Sequence, residues 1–500
     1  MNRRKFLKIG AAATASAASG NRFAVAAPGG LPEATAQKLP RWRGFNLLEK
    51  FIASESGPFV EQDFEWLAAW GFNFVRLPMD YRCWAKTPEK EFYEPALLDI
   101  DRAVAWGKQY SIHINLNFHR GPGYCVNPPK EKCDLWTDPA AQEQFARHWG
   151  VFAKRYRGTP SRQLSFDLIN EPPGLDDAAY AGAVQPAIAA IRAADPQRLI
   201  IADGLAWGST PSQKLIPFGI AQSTRGYAPM EVSHYQASWI GGADKYPVPI
   251  WPVPAGINCH LFGSAKPELQ KPLTLEVQCP QATEFSIRVG HVSARADLVV
   301  KADGSVVLHH LFQPGPGNGE WEKSAANEWG SYNADYDMDL AATIPPGTRE
   351  IRIGVEQGDW LTFSNIRFGG TVIQPTVQEW GEKQEVFVVD ARGVRSPSGR
   401  YSSSKETLWN QRIKPWLDLA ANGVGVHVGE WGAFNHTPHN VALAWMRDCL
   451  ENWKAAGFGW ALWNFRGAFG VLDSNRKDVN YEEFKGHKLD RRMLELLRAH

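Results

Sequence analysis

At 500 residues, 44% of them hydrophobic, the chain exceeds one ordinary domain and suffices for a large core with a smaller unit attached. Its 54 Lys and Arg against 53 Asp and Glu leave a net charge of +1, which with no long basic run excludes a nucleic-acid binder that neutralises phosphates. The 21 tryptophans supply flat apolar faces, useful in a core and for stacking on sugar rings.

The chain starts with Arg3-Arg4-Lys5-Phe6-Leu7-Lys8, an alanine-rich apolar stretch over 9–18, and Ala24-Val25-Ala26. Basic, apolar and small-residue regions in that order predict a twin-arginine signal over 1–26, with a periplasmic or secreted product. No later stretch is long and apolar enough to predict a membrane span.

Short apolar runs then alternate with amphipathic segments. Strands are predicted at Arg43–Leu47, Phe72–Leu77, Ile112–Phe118, Leu164–Ile169, Leu199–Ala202 and Glu231–His234, and helices at Val60–Trp70, Pro95–Tyr110 and Ala140–Tyr156. Strands separated by crossover helices pair in parallel. Over 256–374 helical periodicity gives way to alternating strands punctuated by Pro314-Gly315-Pro316-Gly317 and Pro345-Pro346-Gly347, the pattern of an all-β sandwich. A helix over Thr407–Asn422 and strands at Gly425–Val428 and Gly459–Trp463 bring the strand count to eight. Segments 40–255 and 375–500 together predict a (β/α)8 TIM barrel, with the sandwich inserted after strand six.

Active sites of such barrels gather at the C-terminal strand ends. There the sequence places Arg76, His119, Asn170 with Glu171, His234 with Tyr235, Glu430 with Trp431, and Trp463. Two carboxylates ending separate strands, Glu171 in Leu-Ile-Asn-Glu-Pro and Glu430 in Gly-Glu-Trp-Gly, are the minimum apparatus for cutting a glycosidic bond.

Arg76 in Val-Arg-Leu-Pro, His119, Asn170-Glu171-Pro172, Glu430 and Trp463 follow the order and spacing of glycoside hydrolase family 5, which the sequence resembles over 41–240 and 405–490. The resemblance implies a retaining β-glycosidase of cellulase type. In it Glu171 is acid/base and Glu430 nucleophile, Asn170 holds the sugar 2-hydroxyl, Arg76 lies close to Glu430, His119 and His234 position substrate, and Trp463 floors a subsite. No cofactor or metal is called for. The expected partner is a β-linked polysaccharide or oligosaccharide, a β-glucan first, with mannan, xylan, exo-acting glucosidase and non-catalytic sugar-binding readings as alternatives.

One departure stands out: the family pattern has His and Tyr two residues apart after strand six, whereas His234 and Tyr235 are adjacent and face opposite sides of a strand. Tyr235 is the expected contact to Glu430 and Trp431 an added substrate contact, with Trp136, Trp207, Trp239 and Trp251 as further stacking candidates. In the insertion, Trp321, Trp329, Tyr332, Tyr336 and Trp360 are candidates for a sugar platform or for its core. Among six cysteines, Cys125 and Cys133 flank a Pro-rich loop that a disulfide would close.

Overall fold

In the computed structural model the described residues are 30–500, apart from 254–255, 376–379, 391–392 and 396–402. The signal over 1–26 lies outside them.

Eight parallel strands close a barrel: β1 (Arg43–Asn46), β2 (Phe74–Asp80), β3 (His113–Gly121), β4 (Leu164–Asp167), β5 (Leu199–Asp203), β6 (Ala221–Gly226), β7 (Val426–Trp431) and β8 (Gly459–Leu462). Their order is 2-1-8-7-6-5-4-3, and a β2–β3 pairing completes the ring. Every residue of β2 and β3 is buried, as expected of strands lined on one side by the barrel interior and on the other by helices. α1 (Glu61–Ala69), α2 (Glu94–Tyr110), α3 (Pro139–Arg155) and α4 (Asp177–Ala194) carry the chain between the first strands. α3 starts where its sequence says it should: Asp138 accepts the Ala140 N–H and a proline takes the first helical position.

The inward-facing positions change character along the strands. Leu199 and Ile201 of β5, Phe74 of β2, Ala221 of β6 and Ala461 of β8 form an apolar plug at the N-terminal mouth, closed from below by Ala34, Leu39 and Trp42. Two residues further along the same faces stand Asp203, Arg76 and Ser223, then Arg225. A period of two therefore turns a packed floor into a charged upper layer.

Strand six is where the structure departs from the sequence reading. β6 is Ala221–Gly226, and Met230–Ser233 is a four-residue helical turn entered from Pro229. Only Ala221 on the inward face of β6 is apolar, so hydrophobic periodicity could not find it. The predicted helix over Thr407–Asn422 is broken by a five-residue π-helical turn, Trp409–Ile413, just before Pro415.

Between β6 and β7 the chain builds a ten-stranded, mainly antiparallel sheet around its own core of residues such as Leu275, Ile287, Val300, Ile353 and Phe363. Two long strands, Thr283–Ala302 and Glu350–Phe368, run antiparallel through it with several register shifts. Tyr336 is buried in that core against Phe312, and Trp360 is half-buried against His291 and Trp380. Trp329 is 80% exposed. All six cysteines are free, so the Cys125–Cys133 bridge is not formed; Cys125 Sγ instead accepts the Asn127 N–H.

Candidate active site

At the C-terminal mouth of the barrel two buried arginines and four carboxyl groups interlock. Arg76 donates through Nε to Asp167 at 2.8 Å, through Nη1 to Glu430 Oε1 at 2.5 Å and to Asn46 Oδ1 at 3.1 Å, and through Nη2 to Asn170 Oδ1 at 2.8 Å. Arg225 donates through Nε to Glu171 Oε1 at 3.0 Å, and through Nη2 to Asn170 Oδ1 at 2.8 Å and Glu430 Oε1 at 3.3 Å; both of its Nη groups also bond Asp203. Glu171 and Glu430, from β4 and β7, thus share one guanidinium, and its span is compatible with the separation of about 5–5.5 Å that a retaining pair requires.

The main chain at Glu171 is held as firmly as its side chain. Its φ of +50° lies in the left-handed region, its N–H donates to Asp203 Oδ2 at 2.8 Å, and its carbonyl accepts from the Tyr124 hydroxyl at 2.6 Å. These two bonds stabilise a backbone conformation that glutamate avoids unaided.

Two guanidinium charges against four carboxylates leave the cluster acidic, so protons are retained. Burial, and then the charge of Glu430, push the Glu171 carboxyl well above the ordinary carboxylate range. Burial and Asp203 do the same to Asp167. Burial would raise Glu430 too, but Arg225 and Arg76 outweigh it and hold this carboxyl below its ordinary value. One carboxyl is kept protonated and its neighbour ionised, the division that an acid and a nucleophile need.

Around this pair, sequence-identified residues fall into three groups. The structure brings Arg76, Asn170, His119 and Trp463 together at this mouth of the barrel. Burial lowers the His119 ring to about 4, so it is neutral; Nε2 meets Asn127 Oδ1 at 2.5 Å while Nδ1, buried, has no partner. Asn170 Nδ2 is likewise buried and unpartnered. An unused acceptor and an unused donor beside the carboxyl pair suit the hydroxyls of a sugar. The Trp463 ring stands 5.9 Å from His119 and 5.2 Å from Phe51.

The second group reaches the site by a different route. His234 follows the helical turn Met230–Ser233, yet its ring is 4.9 Å from that of Tyr227 and its Nδ1 is 2.8 Å from Ser233 Oγ. It lines the wall behind Tyr227. The third group is corrected. Tyr227, not Tyr235, donates its hydroxyl to Glu430 Oε2 at 3.3 Å; Tyr235 accepts from Gln236 Nε2. Trp431 is fully buried against Trp445, Trp453 and Trp460, because the residue after Glu430 points into the helix layer when Glu430 points inward. It is core, not substrate contact.

Arg225, Asp203 and Tyr227 escaped the sequence reading as site residues. The signal that finds two of them is the spacing already named: Arg225 and Tyr227 stand two residues apart at the end of β6, with arginine where the family pattern has histidine. Among the stacking candidates, Trp207 and Trp239 expose 54% and 53% of their surface. The Trp207 backbone N–H donates to the Pro172 carbonyl, next to Glu171, and Trp239 packs edge-on to Phe434 beside His234. Trp136 packs on Tyr124 and Tyr180, and Trp251 donates to Asp448. At the ends of β1 and β8 a cavity of about 230 Å³ opens between Asn46, Glu49, Asp63, Asn464 and Arg466.

Residues 33–231 match the model of the cellulase family, glycosyl hydrolase family 5. Over these residues the barrel is similar to that family. Endoglucanase C of Acetivibrio thermocellus is 30% identical over 192 residues, 37% of this chain and 55% of that protein. Cellodextrinase A of Ruminococcus flavefaciens is 25% identical over 191 residues, 36% and 54% of the two chains. The chain spans about half the length of these curated relatives. A glycoside hydrolase of known structure superposes with a TM-score of 0.60 at 28% identity, over 92% of this chain and 99% of that one. The family model ends at residue 231, so the match covers Arg76, Asn170 and Glu171 and does not extend to Glu430, which the geometry above brings beside them.

Proposed function

We propose that the protein hydrolyses β-glycosidic bonds of a β-glucan with retention of anomeric configuration. The observation that carries this reading is the pair formed by Glu171 and Glu430 on one guanidinium, with the first held protonated and the second ionised. Glu171 gives its proton to the glycosidic oxygen as Glu430 attacks the anomeric carbon and the leaving alcohol departs with the bonding electrons. Water then attacks the ester carbon C1, gives its proton to Glu171, and frees Glu430. Asn170 Nδ2 and His119 Nδ1 are free to bind sugar hydroxyls, and Trp463 offers a ring face.

The glucan assignment draws support from the endoglucanase and cellodextrinase named above. Purified protein and its Glu430→Gln variant should be compared on β-glucans, mannan, xylan and aryl glycosides, with product stereochemistry followed by NMR. Activity on β-glucan, lost in the variant and yielding the β-anomer first, is the expected result. Equal inactivity of both proteins on every substrate, or an inverted product, overturns the proposal.

Two further parts of this reading concern the rest of the chain. The twin-arginine stretch supports export, which a signal-less variant retained in the cytoplasm would demonstrate. Exposed Trp329 and Trp380, 80% and 54% accessible, support sugar binding by the second sheet. Substituting both by alanine should weaken retention on insoluble glucan without changing turnover of a soluble aryl glycoside.

A further inference from the structure

Arg225 deserves a role of its own. Its stem passes two glycines: a Cβ on Gly208, whose φ is +75°, would sit 2.7 Å from Arg225 Cγ, and one on Gly429 would sit 2.9 Å from Arg225 Nη1. Asp203, fully buried, bonds both Nη groups, and the same carboxylate takes the Glu171 N–H. Register places Arg225 directly beside Glu430 across β6 and β7. The group is therefore set in position from β5, β6 and β7 before any substrate arrives.

Its donors are distributed unevenly over the two carboxyls. Nε takes Glu171 Oε1, and Nη2 takes Glu430 Oε1, which also receives Arg76 Nη1. Among the described residues no group donates to Glu171 Oε2, and Glu430 Oε2 receives only the Tyr227 hydroxyl at 3.3 Å. An oxygen that accepts an N–H from a guanidinium is less basic and less nucleophilic than its freer partner on the same carboxyl, since the bond draws charge from it.

We propose that Arg225 selects the reacting atoms: by occupying Oε1 of both glutamates it leaves Oε2 of Glu171 to carry the proton and Oε2 of Glu430 to attack. This rests on the acid and nucleophile reading above. In the first step the proton moves from Glu171 Oε2 to the glycosidic oxygen, the C1–O bond breaks towards that oxygen, and a C1–Oε2 bond forms on Glu430. In the second, water adds to C1, its proton goes to Glu171 Oε2, and the C1–Oε2 bond breaks back onto Glu430. Arg225 transfers nothing and is a positioning residue.

Charged and titratable groups facing Arg225 are Asp203 from β5, Asp167 from β4 with Glu171 just past it, Glu430 and His427 from β7, His119 from β3, Arg76 from β2 and Tyr180 from α4, with Tyr227 just beyond its own strand. Removing one positive charge from this set makes both glutamates harder to ionise. Arg225→Met should lower kcat about 100-fold and move both limbs of the kcat/KM–pH profile upward, by about one pH unit. Arg225→Lys keeps the charge but presents one point donor where a planar fork is needed. It should leave the limbs near their wild-type positions while kcat still falls at least about 10-fold.

A loss of packing alone lowers activity without moving the limbs, so unmoved limbs in a folded Arg225→Met overturn the proposal. If Arg225→Met does not fold, wild-type kcat in Arg225→Lys overturns it equally. Product stereochemistry of the wild type separates the two claims: inversion there defeats the acid and nucleophile reading itself, whereas retention with an indifferent Arg225 defeats only this inference.

Discussion

Gly429 lies against the guanidinium of Arg225 and leaves no room between them for a side chain of its own. The β7 backbone shifts register between Val428 and Glu430, and a Cβ at Gly429 would come within 2.9 Å of Arg225 Nη1 and 2.5 Å of Ser223 Oγ. Glycine one residue before Glu430 is what lets a guanidinium lie beside both carboxyl groups. Gly429→Ala is expected to displace Arg225 and lower kcat about 100-fold, with a much smaller change in KM. Steady-state kinetics beside a thermal melt check this, and wild-type kcat in a folded Gly429→Ala would show that Arg225 has room to spare.

The two glutamates predict the shape of the pH profile. Glu430 sits below its ordinary value and must be ionised, so kcat/KM rises with pH only in the acidic range, through a carboxyl lower than an exposed glutamate. Glu171 sits above its ordinary value, raised by burial and then by Glu430, and must be protonated, so activity falls again at a pH well above that range. Glu171→Gln, assayed on an aryl glycoside whose leaving group needs no proton, should lose the alkaline limb. A limb that persists there belongs to another group.

Glu49 predicts a pH-dependent stability. Burial pushes its carboxyl up from 4.5 to about 7, and Oε2 has no partner. Because the folded value lies above the unfolded one, the fold favours the neutral acid: this contribution is complete below about pH 4.5 and is lost as pH rises through 7. The displacement is worth at most about 3 kcal/mol, and less where water reaches the side chain. Glu49→Gln should therefore flatten the decline of Tm between pH 5 and pH 8. Parallel declines in both proteins would assign the effect elsewhere.

Trp431 and Trp463, both named from their places at strand ends, should separate cleanly. Trp431→Ala removes a fully buried ring from a cluster of tryptophans and is expected to cost about 3–5 kcal/mol of stability. Trp463→Ala, beside His119 and Phe51, should leave the melt nearly unchanged while raising KM and lowering kcat/KM. Denaturant melts and kinetics on the same glucan distinguish them.

The sequence by itself made the barrel legible, because seven of its eight strands are apolar segments whose crossover helices carry a local period, and it singled out Arg76, His119, Asn170, Glu171, Glu430 and Trp463, because each lies in or just past the end of such a segment. It could not place strand six. Residues Ala221–Gly226 read as polar precisely where they enter the charged layer, and Glu231–His234, with more apolar character, follows a proline and turns as a helix instead. Tertiary structure decided which side of the backbone each candidate faces. One step of a strand reverses a side chain, which sends Trp431 into the helix layer while Glu430 looks inward. It also decided the electrostatics: Arg225 and Asp203 are distant in sequence from both glutamates, and only closure of the ring brings β4, β5, β6 and β7 near enough for one guanidinium to serve two carboxylates.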